Sequence, residues 1–417
     1  MVRYLLLVVI VATTALAGLY VVKSHNSEEP REPASNNSEE PREPAYHMPE
    51  SIARDCSKPV EAEISRFLAK VPNGSKVVFA KDACYGHDLE VLVSDREELT
   101  IDGNGSTFKP LTPRRGECRA TWRIQAGRNI HLKNMVVRGR NITGFDGPRQ
   151  PPPEGQCQSA FSFESVQGGS LTNSKAFDTI ADPLALQPDK RADGGDYCKV
   201  PPNRDIVIDR FEARNAGRTV AVTNVDGLTI KNSYFGDIFD NAIDIETDVG
   251  CEWSRNIKVL NNRFGRSHFG MLTYTGGEPP ERSGGLEVVG NVVEAEPENC
   301  FLPITVAPFQ YPAGQVRRGI VIRGNRLKTR FHGIGLVNVG DARIEQNVVS
   351  KNFPDDVCSP DSYVVTLHDS HKVRVSKNVG ISGRRGGFKG NLAVDSLSTE
   401  ISSSGPVASL PPKTPAP

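Results

Sequence analysis

The stretch LTIDGNG at 99–105 decides how this chain is read, because its pattern keeps returning. Branched apolar residues alternate with polar ones, and an Asn or Gly follows at once. The pattern recurs as IHLKNMVV (130–137), SLTNSKAF (170–177), IVIDRFEA (206–213) and LTIKNSYF (228–235). It returns as IKVLNNRF (257–264), LEVVGNVV (286–293), IVIRGNRL (320–327), ARIEQNVV (342–349) and KVRVSKNV (372–379). The last apolar residues before the turn are Ile101, Leu132, Leu171, Ile208, Ile230, Val259, Val288, Ile322, Ile344 and Val375. Their spacings are 31, 39, 37, 22, 29, 29, 34, 22 and 31 residues. A floor of 22 with a variable excess describes one repeat carrying insertions of different length. The alternation has the period of a strand, and repeats of this size stack as solenoids.

One such phrase cannot bury its own apolar face, so it needs neighbours above and below. Strands joined by Asn/Gly turns predict an all-β, single-stranded right-handed parallel β-helix of about ten coils, with an N-terminal capping helix near 57–70. Asn and Gly tolerate the left-handed backbone of tight turns. The column Asn104, Asn262, Asn291, Asn325, Asn347 and Asn378 is expected to form a stacked amide ladder rather than a ligand contact. A β-sandwich leaves the 22-residue floor unexplained, and no helical half-repeat supports a leucine-rich solenoid.

The segment VPNGSKVVFAKDACYGHDLEVLVSDREELTIDGNG (71–105) resembles the entry to secreted bacterial pectate-lyase-like β-helix proteins. The resemblance implies the fold over roughly residues 52–385. It leaves the reaction open, since this fold carries lyases, hydrolases, epimerases and binding proteins.

Residues 4–22 form an uncharged apolar run between Arg3 and Lys23. As a helix it would be about 28 Å long, one hydrocarbon thickness. It reads as a membrane anchor (1–23), with a cleaved signal peptide as the alternative at Ala15-Leu16-Ala17. Either one exports the rest of the chain and places the protein outside the cytoplasm, anchored or secreted. Residues 24–50 contain HNSEEPREPA and NNSEEPREPA in tandem, a Pro/Glu-rich stalk unable to build a core. The β-helix is assigned to 51–400 and a disordered tail to 401–417. Eight cysteines without a CxxC metal pattern read as disulfides in an exported chain. Cys56–Cys84 would tie the capping helix to the first coil. Cys118–Cys157, Cys198–Cys251 and Cys300–Cys358 come from assigning loop cysteines to neighbouring coils. Lys+Arg and Asp+Glu are equal at 50 each, which argues against a nucleic-acid partner.

The chemistry is sought on strands read as SAFSFES (159–165), PLALQPD (183–189), TVAVTNV (219–225), NAIDIETD (241–248), FGMLTYT (269–275) and LPITVAP (302–308). Their outward residues would form a groove for a polysaccharide, including Glu164, Gln187 and Thr273. The acidic stretch FDNAIDIETD (239–248) stands out. Asp244 and Glu246 alternate with Ile243 and Ile245, so both should face outward about 7 Å apart. Two carboxylates so placed suit acid and base roles in glycoside hydrolysis, and the same oxygens suit Ca²⁺. A similarity to polygalacturonase-like hydrolases adds Asp240, at Asp240-Asn241, and His268, at Ser267-His268-Phe269-Gly270, one coil on. It would make both catalytic, although Asn241 and Ser267 depart from that family's pattern. Elimination would instead need a base and a cation on a uronate, for which Arg191, Arg218, Arg263, Arg266 and Tyr274 are candidates, and Arg218 and Tyr274 are also expected to contact the substrate. Hydrolase is preferred over lyase. The reading from another class is a non-catalytic glycan-binding or structural surface protein.

Overall fold

A computed structural model describes residues 44–112, 120–140, 159–189, 191, 199–246, 252–275, 284–295, 297, 299–307, 317–352, 358, 361–383 and 387–410. The described residues wind through three parallel sheets of 13, 12 and 12 strands. One turn of the winding is Val225–Lys231 in the first sheet, Tyr234–Ile238 in the second and Ile243–Ile245 in the third. The next is Ser254–Leu260, Arg263–Phe264 and Leu272–Tyr274. Each strand pairs with its counterpart one turn away, giving a right-handed parallel β-helix.

The repeat positions read from sequence are direct register partners. Ile101 lies opposite Leu132, Leu132 opposite Leu171, Ile208 opposite Ile230, and Ile344 opposite Val375. The first sheet holds all ten phrases and three further strands, Ala45–His47, Lys76–Val78 and Ser402–Ser403. None of these three carries the whole phrase of alternating apolar residues closed by Asn or Gly, so the described winding exceeds the ten coils read from the phrase. Boundaries move accordingly. Ala45–His47 pairs with Lys76–Val78, so the winding begins before residue 51. Ser402–Ser403 and Val407–Ser409 pair with the last coils, so the start of the expected disordered tail is ordered. Backbone pairing with an open sheet edge needs no apolar alternation, and the sequence shows none there.

The core follows the alternation. Leu228, Ile230, Ile243, Ile245, Ile257 and Val259 are buried, while the intervening residues face outward. At the N-terminal end Phe79, Tyr85, Phe108 and Trp122 pack edge-on and stacked inside the first coils. The helix Glu61–Lys70 lays Ile64 and Leu68 over that end. Arg96 donates to the Leu68 and Val71 carbonyls at the helix C-terminus, satisfying groups the helix leaves unpaired. Cys56–Cys84 joins the strand before this helix to the coil after it.

The turn after each first-sheet strand explains the recurrent Asn and Gly. Asn134, Asn173, Asn232 and Asn261 have φ of 55°, 47°, 52° and 54°, and Gly290 and Gly324 take the same place at 69° and 64°. The next position forms the ladder. Asn262, Asn291, Asn325 and Asn347 each donate a backbone N–H to the side-chain oxygen one coil on, at 2.9–3.0 Å. Each also donates its side-chain amide to that oxygen. Asn104 falls outside. Its coil has a longer turn, and Ser106 stands at the ladder position instead.

Replacing Asn325 by Leu would orphan the buried donors of Asn291 and the Val288 carbonyl it now serves. The expected cost is about 3 kcal/mol in urea unfolding, whereas Asn104→Gly should stay under about 1 kcal/mol.

Candidate functional site

The third sheet presents the surface predicted to carry chemistry. Long connections at 141–158, 190–198, 247–251, 276–283 and 308–316 all adjoin its strands in sequence. Strand Ile243–Ile245 lies between Val220–Val222 and Leu272–Tyr274, with Ala221, Asp244 and Thr273 in one outward column.

The centre of the site is Arg218, at the entry to Val220–Val222. Its Nη1 reaches Asp244 at 3.0 Å and Glu246 at 3.3 Å. Its Nε and Nη2 reach both oxygens of Asp182 at 3.1 and 3.4 Å. Asp182 comes from the preceding coil, two residues before Leu184, as Arg218 stands two before Val220. One guanidinium therefore gathers carboxylates from the coils before and after its own. Its fork geometry suits this bridging, which an ammonium could not match. Burial disfavours the Arg218 charge, but Asp182 and Asp244 more than compensate and hold its pKa up. Asp182 is pushed up to about 6, chiefly by burial, with Asp244 and Asp240 adding repulsion and Arg218 opposing.

The expected residues divide clearly. Asp244 and Glu246 share Nη1, so their nearest oxygens are separated by no more than the sum of the two contacts. Asp244 is nearly covered, while the Glu246 side chain is 40% exposed. Asp240 is half-buried at the strand entry and accepts the Asn241 N–H at 2.8 Å. Thr273 faces outward beside Asp244. Arg218, expected from sequence as a substrate contact and a candidate for elimination, joins the acidic residues.

Others are placed elsewhere. Tyr274 points inward, because Thr273 before it points outward. It is buried, donates its hydroxyl to the Ser254 carbonyl, and lies beneath the Arg317 guanidinium. It is a core residue, not a sugar contact. His268 is 4% exposed, and the register sets it beside Phe239 with the rings 5.7 Å apart. Phe269, not His268, is the partner of Asp240. The similarity to the hydrolase motif is thus one position out of register. Glu164 is 1% exposed and enclosed by Arg123, Gln125, Ser162 and Gln187. It and Gln187 form a structural network, because a carboxylate so encircled has its acceptor sites filled. Arg263 and Arg266 lie on or beside the second sheet, paired with Glu294 and Asp237. Arg191 pairs with Asp189 and Asp95.

Asp182 was missed. The groove strand was read from Pro183, one residue too late, although Asp182 heads its strand in the place that Arg218 heads the next. Among the described residues no group of three or more His, Cys, Asp or Glu is arranged to hold a metal ion. Between the carboxylates, where Ca²⁺ would have to sit, stands Arg218. Cys300–Cys358 forms as expected, and the pairings Cys118–Cys157 and Cys198–Cys251 lie outside the described residues. So do residues 1–43, and with them the expected anchor and most of the stalk. No helix among the described residues is long and apolar enough to cross a membrane.

No protein-family model matches this chain, and no curated protein matches it in sequence. Its structure is similar to that of a hyperthermoactive exopolygalacturonase from Thermotoga maritima, with a TM-score of 0.55, 10% identity, and coverage of 88% of this chain and 93% of that one. The surface protein and adhesin PfbA of Streptococcus pneumoniae gives 0.55 and 12%, covering 87% and 96%. An endo-xylogalacturonan hydrolase from Aspergillus tubingensis gives 0.52 and 10%, covering 89% and 96%. At such identities the likeness is one of fold, and the fold shared is the right-handed parallel β-helix.

Proposed function

We propose that this protein is an exported glycoside hydrolase that acts on a polysaccharide lying across its third sheet. The observation that carries this reading is the convergence of Asp182, Asp244 and Glu246 on Arg218 at an outward face. Glycoside cleavage needs one carboxyl to protonate the leaving oxygen and one carboxylate to attack or to activate water. Glu246 is the more exposed and suits the acid, which must exchange its proton with solvent between turnovers. Asp244, 3.0 Å from the guanidinium, suits the role that carries negative charge. Two disulfides support an oxidising compartment, and the apolar run 4–22 supports anchorage in a membrane.

A second reading is a glycan-binding protein without catalysis. It is favoured by Arg218, which pairs with all three carboxylates as it would in a purely structural ion cluster. The two readings separate on products. Purified full-length protein is incubated with uncharged and uronate-bearing polysaccharides. Hydrolysis predicts new reducing ends without the ultraviolet absorbance of an unsaturated uronate. That absorbance would mean elimination, and polymer binding without product would establish the second reading.

A further inference from the structure

The column that holds Asp240 continues along the helix as aromatic residues. Strand register carries Asp240 to Phe269, Phe269 to Phe301 and Phe301 to Phe331 on successive coils. The rings of Phe269 and Phe301 meet edge-on, with centroids 4.5 Å apart. Phe301 is 45% exposed, an unusual position for a large apolar side chain, and the adjacent Cys300 is tied to Cys358. Beside this strip the outward column from Asp244 continues as Thr273, Thr305 and Gly335. Gly335 leaves room for Leu302. A Cβ there would meet the Leu302 side chain at 2.6 Å, so apolar surface lies over the floor at that coil.

A trough with phenylalanines along one edge and small uncharged residues along its floor leads away from the acidic cluster. Coils stack about 4.8 Å apart, close to the length of one sugar residue. A pyranose presents an apolar C–H face, which packs on an aromatic ring, and hydroxyl edges, which suit threonine hydroxyls. Asp182, Asp244 and Glu246 face one guanidinium, and Asp240 adds its charge beside Asp182, so each uronate carboxylate entering here would meet like charge at low dielectric. From this geometry we infer that Phe269, Phe301 and Phe331 form a row of subsites for uncharged sugar rings, and that the ligand is a neutral polysaccharide. The inference rests on the carbohydrate reading above and adds the substrate class.

Affinity electrophoresis of the full chain through galactomannan, xyloglucan, mixed-linkage glucan and polygalacturonate tests it. At least one uncharged polymer should retard the protein, and polygalacturonate should not. Phe301→Ala should raise the dissociation constant for the retarding polymer about tenfold, and Phe301→Trp should preserve it. Urea unfolding midpoints of both variants verify that the fold is retained. Retardation by polygalacturonate alone would overturn the neutral class while leaving the carbohydrate reading in place. No retardation by any polymer would overturn both. Unchanged affinity in a folded Phe301→Ala protein would overturn the aromatic subsites.

Discussion

Replacing Arg218 by methionine should destabilise the protein by about 3–5 kcal/mol, because it strips the cation from carboxylates that remain largely buried. Asp182 is 5% exposed and Asp244 7%. The methionine keeps much of the stem packing, so the loss reports charge. The effect should depend on pH. The Asp182 carboxyl titrates at about 6 in the folded protein, above its ordinary value of 3.8. Between those values the folded state binds the proton more tightly than the unfolded chain. Its contribution to stability is therefore greatest below the ordinary value and declines as pH rises through about 6. Without Arg218 the ionised form is disfavoured further, so the decline steepens. The gap between wild type and variant should widen from pH 5 to pH 8 in urea titrations. A gap that stays constant across that range would contradict this account of the cluster.

Asp244→Asn should lower kcat/KM for the hydrolysed polymer by about 10²–10⁴-fold, the range for losing a group that acts directly on the reacting atoms. Asparagine preserves shape and can still accept from Arg218, so the fold should survive and the loss should appear in kcat. Glu246→Gln should act similarly on substrates with poor leaving groups, where protonation matters most, and less on activated aryl glycosides. Thr273→Ala, one coil away and uncharged, should change activity less than about tenfold. If Asp244→Asn cleaves within threefold of wild type while remaining folded, the catalytic pair lies elsewhere on the sheet.

The scaffold was legible because it is periodic. Once Ile230 and Val259 are aligned, alternation fixes which neighbours face inward, and the register partners agree. The ladder was legible for the same reason, save at Asn104, where a longer turn shifts the pattern. The site was only partly legible. Asp244 sits on one strand and Glu246 directly after it, so local alternation brings out both. Arg218 and Asp182 lie 26 and 62 residues before Asp244. Their convergence depends on where each coil begins, which insertions of irregular length obscure. Tyr274 was misread through nearness in sequence to the acidic strand, although the alternation that exposes Thr273 turns it inward. The His268 expectation came from motif similarity, and a single-residue offset in register was enough to undo it.

The spacing of the repeats bears on how such a molecule acquires new surfaces. Successive turns differ from 22 to 39 residues, yet Ile208, Ile230, Val259 and Val288 stay in step. A slip by one residue would send every side chain of a strand to the wrong face, so alternation punishes it heavily. Lengthening a connection costs only about 0.6 kcal/mol for each doubling. Inheritance of the winding and invention at its margins are therefore nearly independent. Connections that follow the third-sheet strands in sequence can be rewritten one at a time, while the spine of stacked amides keeps count.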